Sequence, residues 1–338
     1  MSTLRLLSTF LIAAALLPLP GSAVAELLAP FSVSNQSPLI QIFGLPGAAE
    51  STVLAPGKTA AALAFSLASN HTSSSDTREN LLLDGETSRL TLGLRHGIDN
   101  GFEVGIDISW VMHRKGFLDR FIIDWHDTFN LPQGGRDEGP FDRLAYRYSR
   151  DGVELINVDE STEGFGDLRL TAAWQLSRRK EPSGARKTLA LHSSLKLPTG
   201  DSDRLLGSGS TDLALWLAAE NNWRASLGRC SLYAAAGMMA LTDGRVLPGQ
   251  QRNLVGFATL GSGWAPWERL ALKVQLDGHT PFYGGSDLEE LAASAAQLTL
   301  GGTLGLWPEG WLDLGVCEDL AVSTSPDVVF HLALRSAF

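Results

Sequence analysis

Apolar and polar side chains alternate with a period of two along most of the chain beyond residue 50. Leu168, Leu170, Ala172, Trp174 and Leu176 share one parity, and Asp167, Arg169, Thr171, Ala173 and Gln175 the other. Leu90, Leu92 and Leu94 oppose Arg89, Thr91, Gly93 and Arg95, while Val104, Ile106 and Ile108 oppose Glu103, Gly105, Asp107 and Ser109. The stretches around Leu270–Asp277 and Gln297–Leu306 repeat the pattern. A period of two means strand, because successive side chains of an extended backbone leave it on opposite sides. The runs reach about ten residues or more, the length that crosses a bilayer at a tilt. One parity is mainly leucine; the other mixes Gly, Ser, Thr and charges of both signs. That contrast predicts an all-β chain, an antiparallel transmembrane β-barrel with hydrocarbon outside and water inside. Closure follows, since an open edge in lipid leaves backbone groups unpaired.

Strands are expected at about 57–68, 88–96, 102–111, 165–178, 187–197, 211–221, 230–241, 253–264, 269–279, 296–306, 311–321 and 328–338. The barrel therefore has about 12 strands, within a range of roughly 10 to 14. Short and long connections alternate backwards from the end, as periplasmic turns and outer loops should. Asp99-Asn100-Gly101 is a tight hairpin signal. Val328, Phe330, Leu332, Leu334 and Phe338 share one parity. The terminal Phe338 resembles the signal read by the barrel assembly machinery, an expected partner alongside outer-membrane lipid. Trp110, Trp174, Trp223, Trp264, Trp267, Trp307 and Trp311 mostly fall near strand ends, where an aromatic girdle sits.

The longest connection, about 112–164, breaks the rule. Leu118, Phe121, Ile122, Trp125 and Phe129 recur at helical spacing, with Gly116 before them and Pro132 after. The expectation is an amphipathic helix about three turns long, placed in the lumen, against the membrane surface or over the mouth. Asp119, Asp124, His126, Asp127, Arg136 and Asp137 are the candidate functional residues of this insert. Leu144–Tyr148 and Val153–Asn157, around Asp151-Gly152, read as a hairpin above the membrane.

The N-terminus adds an address. Arg5, the apolar run Leu6–Leu17, breakers at Pro18, Pro20 and Gly21, and Ala23-Val24-Ala25 spell a secretory signal over residues 1–25, cleaved after Ala25. Residues 26–56 are either a periplasmic lead-in or a lumen segment, and the barrel occupies 57–338. No later apolar run is long enough for a membrane-spanning helix. A net charge of −10 argues against nucleic acid, which needs a basic footprint. Cys230 and Cys317 fall on non-neighbouring strands and are expected as free thiols.

Chemistry is thin. His192-Ser193-Ser194 lies on a strand, with His192 and Ser194 inward, and no GxSxG elbow occurs. His126 and Asp127 with Asp124 are not aimed together by a helix. Asp201, Asp203 and Asp212 lack EF-hand spacing, so the loop 198–212 reads as a solvated turn. No enzyme, metal or cofactor is expected. The informative set is the inward parity: Arg89, Arg95, Glu103, Asp107, Arg169, Lys196, Glu220, Lys273, Asp277, Asp313, Asp319 and Arg335. These charges either lock the interior by pairing or line a narrow water path. The expected function is a narrow channel or transporter for small solutes; the alternative is a structural or interaction barrel whose long outer loops bind a partner.

Asn35–Pro46 (NQSPLIQIFGLP), Gly116–Asp137 (GFLDRFIIDWHDTFNLPQGGRD), Gly164–Leu170 (GFGDLRL) and Lys196–Asp212 (KLPTGDSDRLLGSGSTD) carry a family likeness. On these strings the chain resembles a domain-of-unknown-function family of Gram-negative outer-membrane proteins. The KLPTGD string is also found in proteins similar to the aromatic-degradation-pathway porins. The resemblance implies an outer-membrane location and brings no catalytic residues with it.

Overall fold

The computed structural model describes residues 26–99, 101–129, 140–321 and 324–338. The signal-peptide expectation over 1–25 lies outside these residues. Twelve strands close an antiparallel ring. They are β1 (Thr59–Ser75), β2 (Glu79–Asp99), β3 (Phe102–Arg114), β7 (Leu168–Lys180), β8 (Arg186–Leu197), β9 (Asp212–Ala225), β10 (Gly228–Leu241), β11 (Leu254–Trp267), β12 (Leu270–His279), β13 (Ala295–Trp307), β14 (Gly310–Ala321) and β15 (Val328–Ala337). Each pairs with its neighbour in the ring, and β1 joins β15 from Ala60 opposite Ala337 to Ser69 opposite Val328. No described helix is long and apolar enough to cross a membrane, so any crossing is made by strands.

The wall is inside out relative to a soluble protein. Leu63, Leu92, Leu170, Leu215, Leu272, Leu300 and Leu332 are exposed, while Lys196, Lys273, Gln275, Thr299 and Asp313 are buried. Burying that much leucine in water would be the default; leaving it outside on every strand is stable only against hydrocarbon. The belt ends at the periplasmic rim in exposed Phe102, Trp174, Trp223, Trp264, Trp267 and Trp307. Trp311 is a correction to the expected girdle. It shares the parity of Asp313, is buried, and packs with Leu27, Leu28, Ala265 and Ala271 inside the barrel.

The first two strands are longer than expected. Residues 69–87 read as a loop because Ser69–Ser75 have no apolar parity, yet β1 and β2 pair through Ser75 and Asn80. This upper part stands above the lipid, where an outward leucine has no use. There β2 also pairs with β4 (Ala145–Arg150), which forms a hairpin with β5 (Val153–Val158). Its turn has positive φ at both Asp151 (51°) and Gly152 (78°), the arrangement that matches strand twist in a two-residue hairpin. The short strand β6 (Thr162–Phe165) extends the top of β3 and was not legible as a separate element.

The insert helix α1 (Asp119–Phe129) lies outside the wall. Leu118 and Ile122 pack on Val328, Leu67 and Phe330, all of the lipid-facing parity. Glu86, on the outer face of β2, accepts hydrogen bonds from the N–H groups of Phe117 (2.6 Å) and Leu118 (2.7 Å). It thus satisfies donors that a helix start leaves open. Of the three placements left open by the sequence, lumen and mouth are excluded for this helix.

Candidate functional site

The lumen is filled by the chain itself. Residues 26–56 enter from the periplasmic end, climb along β12, turn under the outer loops and descend beside β9, β8, β7 and β3. The ascending limb keeps a constant offset of 244 residues from its partners. The Gln275 side-chain amide accepts from the Phe31 N–H at 2.9 Å and donates to the Phe31 carbonyl at 3.0 Å. Lys273 donates to the Ala29 carbonyl at 2.8 Å, Asn35 bonds His279 at 3.0 Å, and Tyr283 donates to the Leu39 carbonyl at 2.9 Å. A segment lacking a strand neighbour thereby has its backbone groups answered by inward side chains, which a buried chain requires.

The turn at 37–43 builds a roof. Phe43 stacks on Phe282 at 4.7 Å and meets Tyr283 at 5.8 Å. Leu39, Ile40 and Ile42 join Leu205, Tyr146, Tyr148 and Leu247 in one buried cluster. The descending limb is held like the ascending one. Asp212 accepts from the Gly44 N–H at 2.7 Å, and Gln175 accepts from the Val53 N–H at 3.0 Å while donating to the Ser51 carbonyl at 2.8 Å. Glu103 accepts from the Leu54 N–H at 2.8 Å. Gly47 sits where a Cβ would come within 2.8 Å of the Val33 carbonyl, so the two limbs touch only because that position lacks a side chain.

All of the inward-parity charges on the strands lie on the inner side, and most are paired. Asp313 accepts from Lys273 (3.0 Å), Arg335 (2.6 Å) and Thr303 (2.5 Å). Arg335 also reaches Glu50 at 3.4 Å and the Glu26 carbonyl at 2.9 Å, tying both limbs to one guanidinium at the foot of the lumen. Arg95 faces Glu50 (3.4 Å) and Glu103 (3.7 Å); Arg169 pairs with Asp107 at 2.7 Å. Lys196 bridges Asp167 (2.5 Å) and Asp212 (3.3 Å), Asp277 accepts from Thr259 at 2.6 Å, and Glu220 from Asn222 at 2.8 Å. Asp319 shares their parity on β14. Asp212 is committed to Lys196 and Gly44, so it does not gather with Asp201 and Asp203 as a cation loop.

The insert candidates are described only in part. Asp119 accepts from the Asp142 N–H at 2.8 Å, Asp124 and Asp127 are exposed, His126 is carried on α1, and Arg136 and Asp137 lie outside the described residues. Above the mouth, Asp76, Glu79 and Asp287 bring carboxylate oxygens within 4.8 Å. Burial raises the Glu79 carboxyl, but hydrogen bonds from Tyr148, the Asp287 N–H and Ser286, with Arg150 nearby, hold it below the usual range. His192 stacks on Trp216 at 5.1 Å, with no nucleophile assembled beside it among the described residues. Cys230 and Cys317 are free. Of the two places the sequence left for residues 26–56 the structure has the lumen segment; what sequence reasoning missed is how it is held, by Phe31, Asn35, Gln41, Gly44, Ser51 and Leu54 with their clamps Gln175 and Gln275. The signal available was that both glutamines take the inward parity.

A leucine-belted, closed ring with a charged interior defines an outer-membrane β-barrel. The chain belongs to the DUF3187 family, described as proteins of unknown function, which it matches over residues 4–338. Among curated proteins no relative matches. Among solved structures, an outer-membrane channel from Pseudomonas putida F1 is similar in fold, with a TM-score of 0.55 at 13% identity over 86% of this chain and 98% of that one. The NanC porin (TM-score 0.44, 6% identity, 82% and 98% covered) and the toluene transporter TodX of P. putida (0.30, 8%, 83% and 88%) are too distant to bear on this chain.

Proposed function

We propose that the protein is a narrow channel for small solutes, gated by its own luminal segment 26–56. One observation carries this reading. Between that segment and the strands β1, β2, β3 and β15 a cavity of about 130 Å³ remains, bordered by small and polar side chains. Many of the segment's ties run to β7, β8, β9 and β12, away from that space, so loosening them widens it. Its ties are hydrogen bonds and ion pairs to side chains, which exchange with water far more readily than a strand ladder does. In this reading the chain reaches the outer membrane by cleavage after Ala25, and its terminal strand engages the assembly machinery. An intact mass placing the mature start elsewhere would remove that part alone.

Planar-bilayer recording tests the channel. The full chain should give brief, small openings, and a form lacking 27–55 a steady larger current. Because that deletion can disturb assembly, the double variant Gln175→Leu with Gln275→Leu serves as a second form, with longer openings expected. No current above leak from any of the three overturns the channel. The apolar roof over the mouth favours the second reading in that case, an interaction barrel whose outer loops meet a partner.

A further inference from the structure

One luminal cation has no acid. Arg89 on β2 donates from Nη2 to the Gln41 carbonyl (2.8 Å) and to the Gln41 side-chain oxygen (2.7 Å), both neutral acceptors. Its Nε is buried without an acceptor among the described residues. Asp107 and Asp167 border the same cavity, but Arg169 and Lys196 already occupy them. A guanidinium withdrawn from bulk water and offered only neutral oxygens is a costly arrangement, and an anion relieves it.

The same wall, two strands along, supplies a second observation: Arg89 stands opposite Ser66 on β1, and Ser66 opposite His331 on β15. His331 on β15 borders the cavity and is buried, its Nδ1 bonded to Ser66 Oγ at 3.1 Å and its Nε2 without a partner. Between the two residues stands Ser66, and next to them on the same wall are Ala62, Ala64 and Ala333, whose small side chains leave the space open. A volume of about 130 Å³ holds several waters, or one planar ion of a few heavy atoms.

We propose that this cavity is a binding site for a small carboxylate-class monoanion, held by Arg89 with His331 beside it on the same wall. With both Nη2 hydrogens given to Gln41, the guanidinium meets an anion through its remaining charge and N–H groups, a charge-assisted contact that neutral acceptors do not provide. The role of the site, as a stop on the solute path, rests on the channel reading; the binding itself does not.

Two measurements keep the ideas apart. Calorimetric titration of the detergent-purified full chain with sodium acetate, against sodium chloride, should show saturable binding to the wild type. Arg89→Gln removes an uncompensated interior charge, so the barrel should still form, as checked by heat-modifiable gel mobility. Acetate affinity should fall about tenfold or more, as loss of a charge-assisted contact does. Ala64→Leu fills the space without touching a charge and should abolish binding. Absence of saturable acetate binding to the wild type, or unchanged affinity in both variants, overturns the site. In bilayers under a potassium acetate gradient, the zero-current potential should show anion preference that Arg89→Gln weakens. Conduction with cation preference that ignores Arg89→Gln overturns the anion site and leaves the channel. Acetate binding without conduction does the reverse.

Discussion

Two irregular stretches of this chain, each left with more than one place by its sequence, end up on opposite sides of the wall. Residues 115–129 carry the amphipathic pattern expected of a plug or lid, and they lie against the outside of the barrel. Residues 26–56, with four prolines and no period, fill the inside. The difference is physical. A helix with one apolar stripe needs a surface that is apolar on one side and wet on the other, and the outer rim above Leu67 and Phe330 is such a place. A polar lumen instead accepts a chain whose backbone groups can meet inward glutamines, carboxylates and lysines one by one. Amphipathicity is therefore a poor guide to what sits inside a barrel.

The comparison is most open to attack at the foot of the lumen. Asp313→Asn leaves Lys273 and Arg335 buried without their acid, and should cost about 3–5 kcal/mol of barrel stability. The measurement is the urea midpoint in liposomes, and a shift no larger than that of a surface variant would break the picture of a locked interior. A smaller effect is expected at the clamp. Gln275→Leu strands both backbone groups of Phe31 and should cost about 1–3 kcal/mol, read as faster hydrogen exchange along 29–35. Exchange there unchanged from the wild type would mean that the ascending limb is held by something else.

On the outer side, Glu86→Ala removes the acceptor at the start of α1 and should cost about 0.5–2 kcal/mol of helix docking. Limited proteolysis should then cut within 115–129 while the heat stability of the barrel stays put. Smallest of all is the effect of pH on the loops. The Glu79 carboxyl is held below its ordinary value of 4.5, so its contribution is present above that pH and is lost as the pH falls through its lower folded value. Acidification below 4.5 should loosen the loop around Ser286–Asp287 in hydrogen exchange; loosening on the alkaline side instead would contradict the sign.

The wall was legible because hydrocarbon imposes one simple rule on every other residue. Leu90, Leu92 and Leu94, or Leu213, Leu215 and Leu217, declare their side without knowledge of any partner. Where the rule stops, so does the reading: Ser69–Ser75 belong to a strand that stands above the lipid, and Trp311 obeys the inner parity although tryptophan usually marks a rim. The inward charges were found, but their pairing was not. Which acid meets Lys273 or Arg335 depends on ring order and on a segment nearly the whole chain away in sequence. The amide of Gln275 looks like any polar inward residue until Phe31 is seen beside it.

The joint between β1 and β15 also dictates an order of events in biogenesis. The stretch destined for the interior precedes every wall strand in the chain, whereas the last staves of the ring, β14 and β15, come at its far end. Threading a folded hairpin with a roof as broad as Phe43 and its neighbours through a finished cylinder is sterically harder than wrapping the cylinder around it. Sterically, the contents are in position before the seam is sewn, and β15 in joining β1 closes a vessel that is already full.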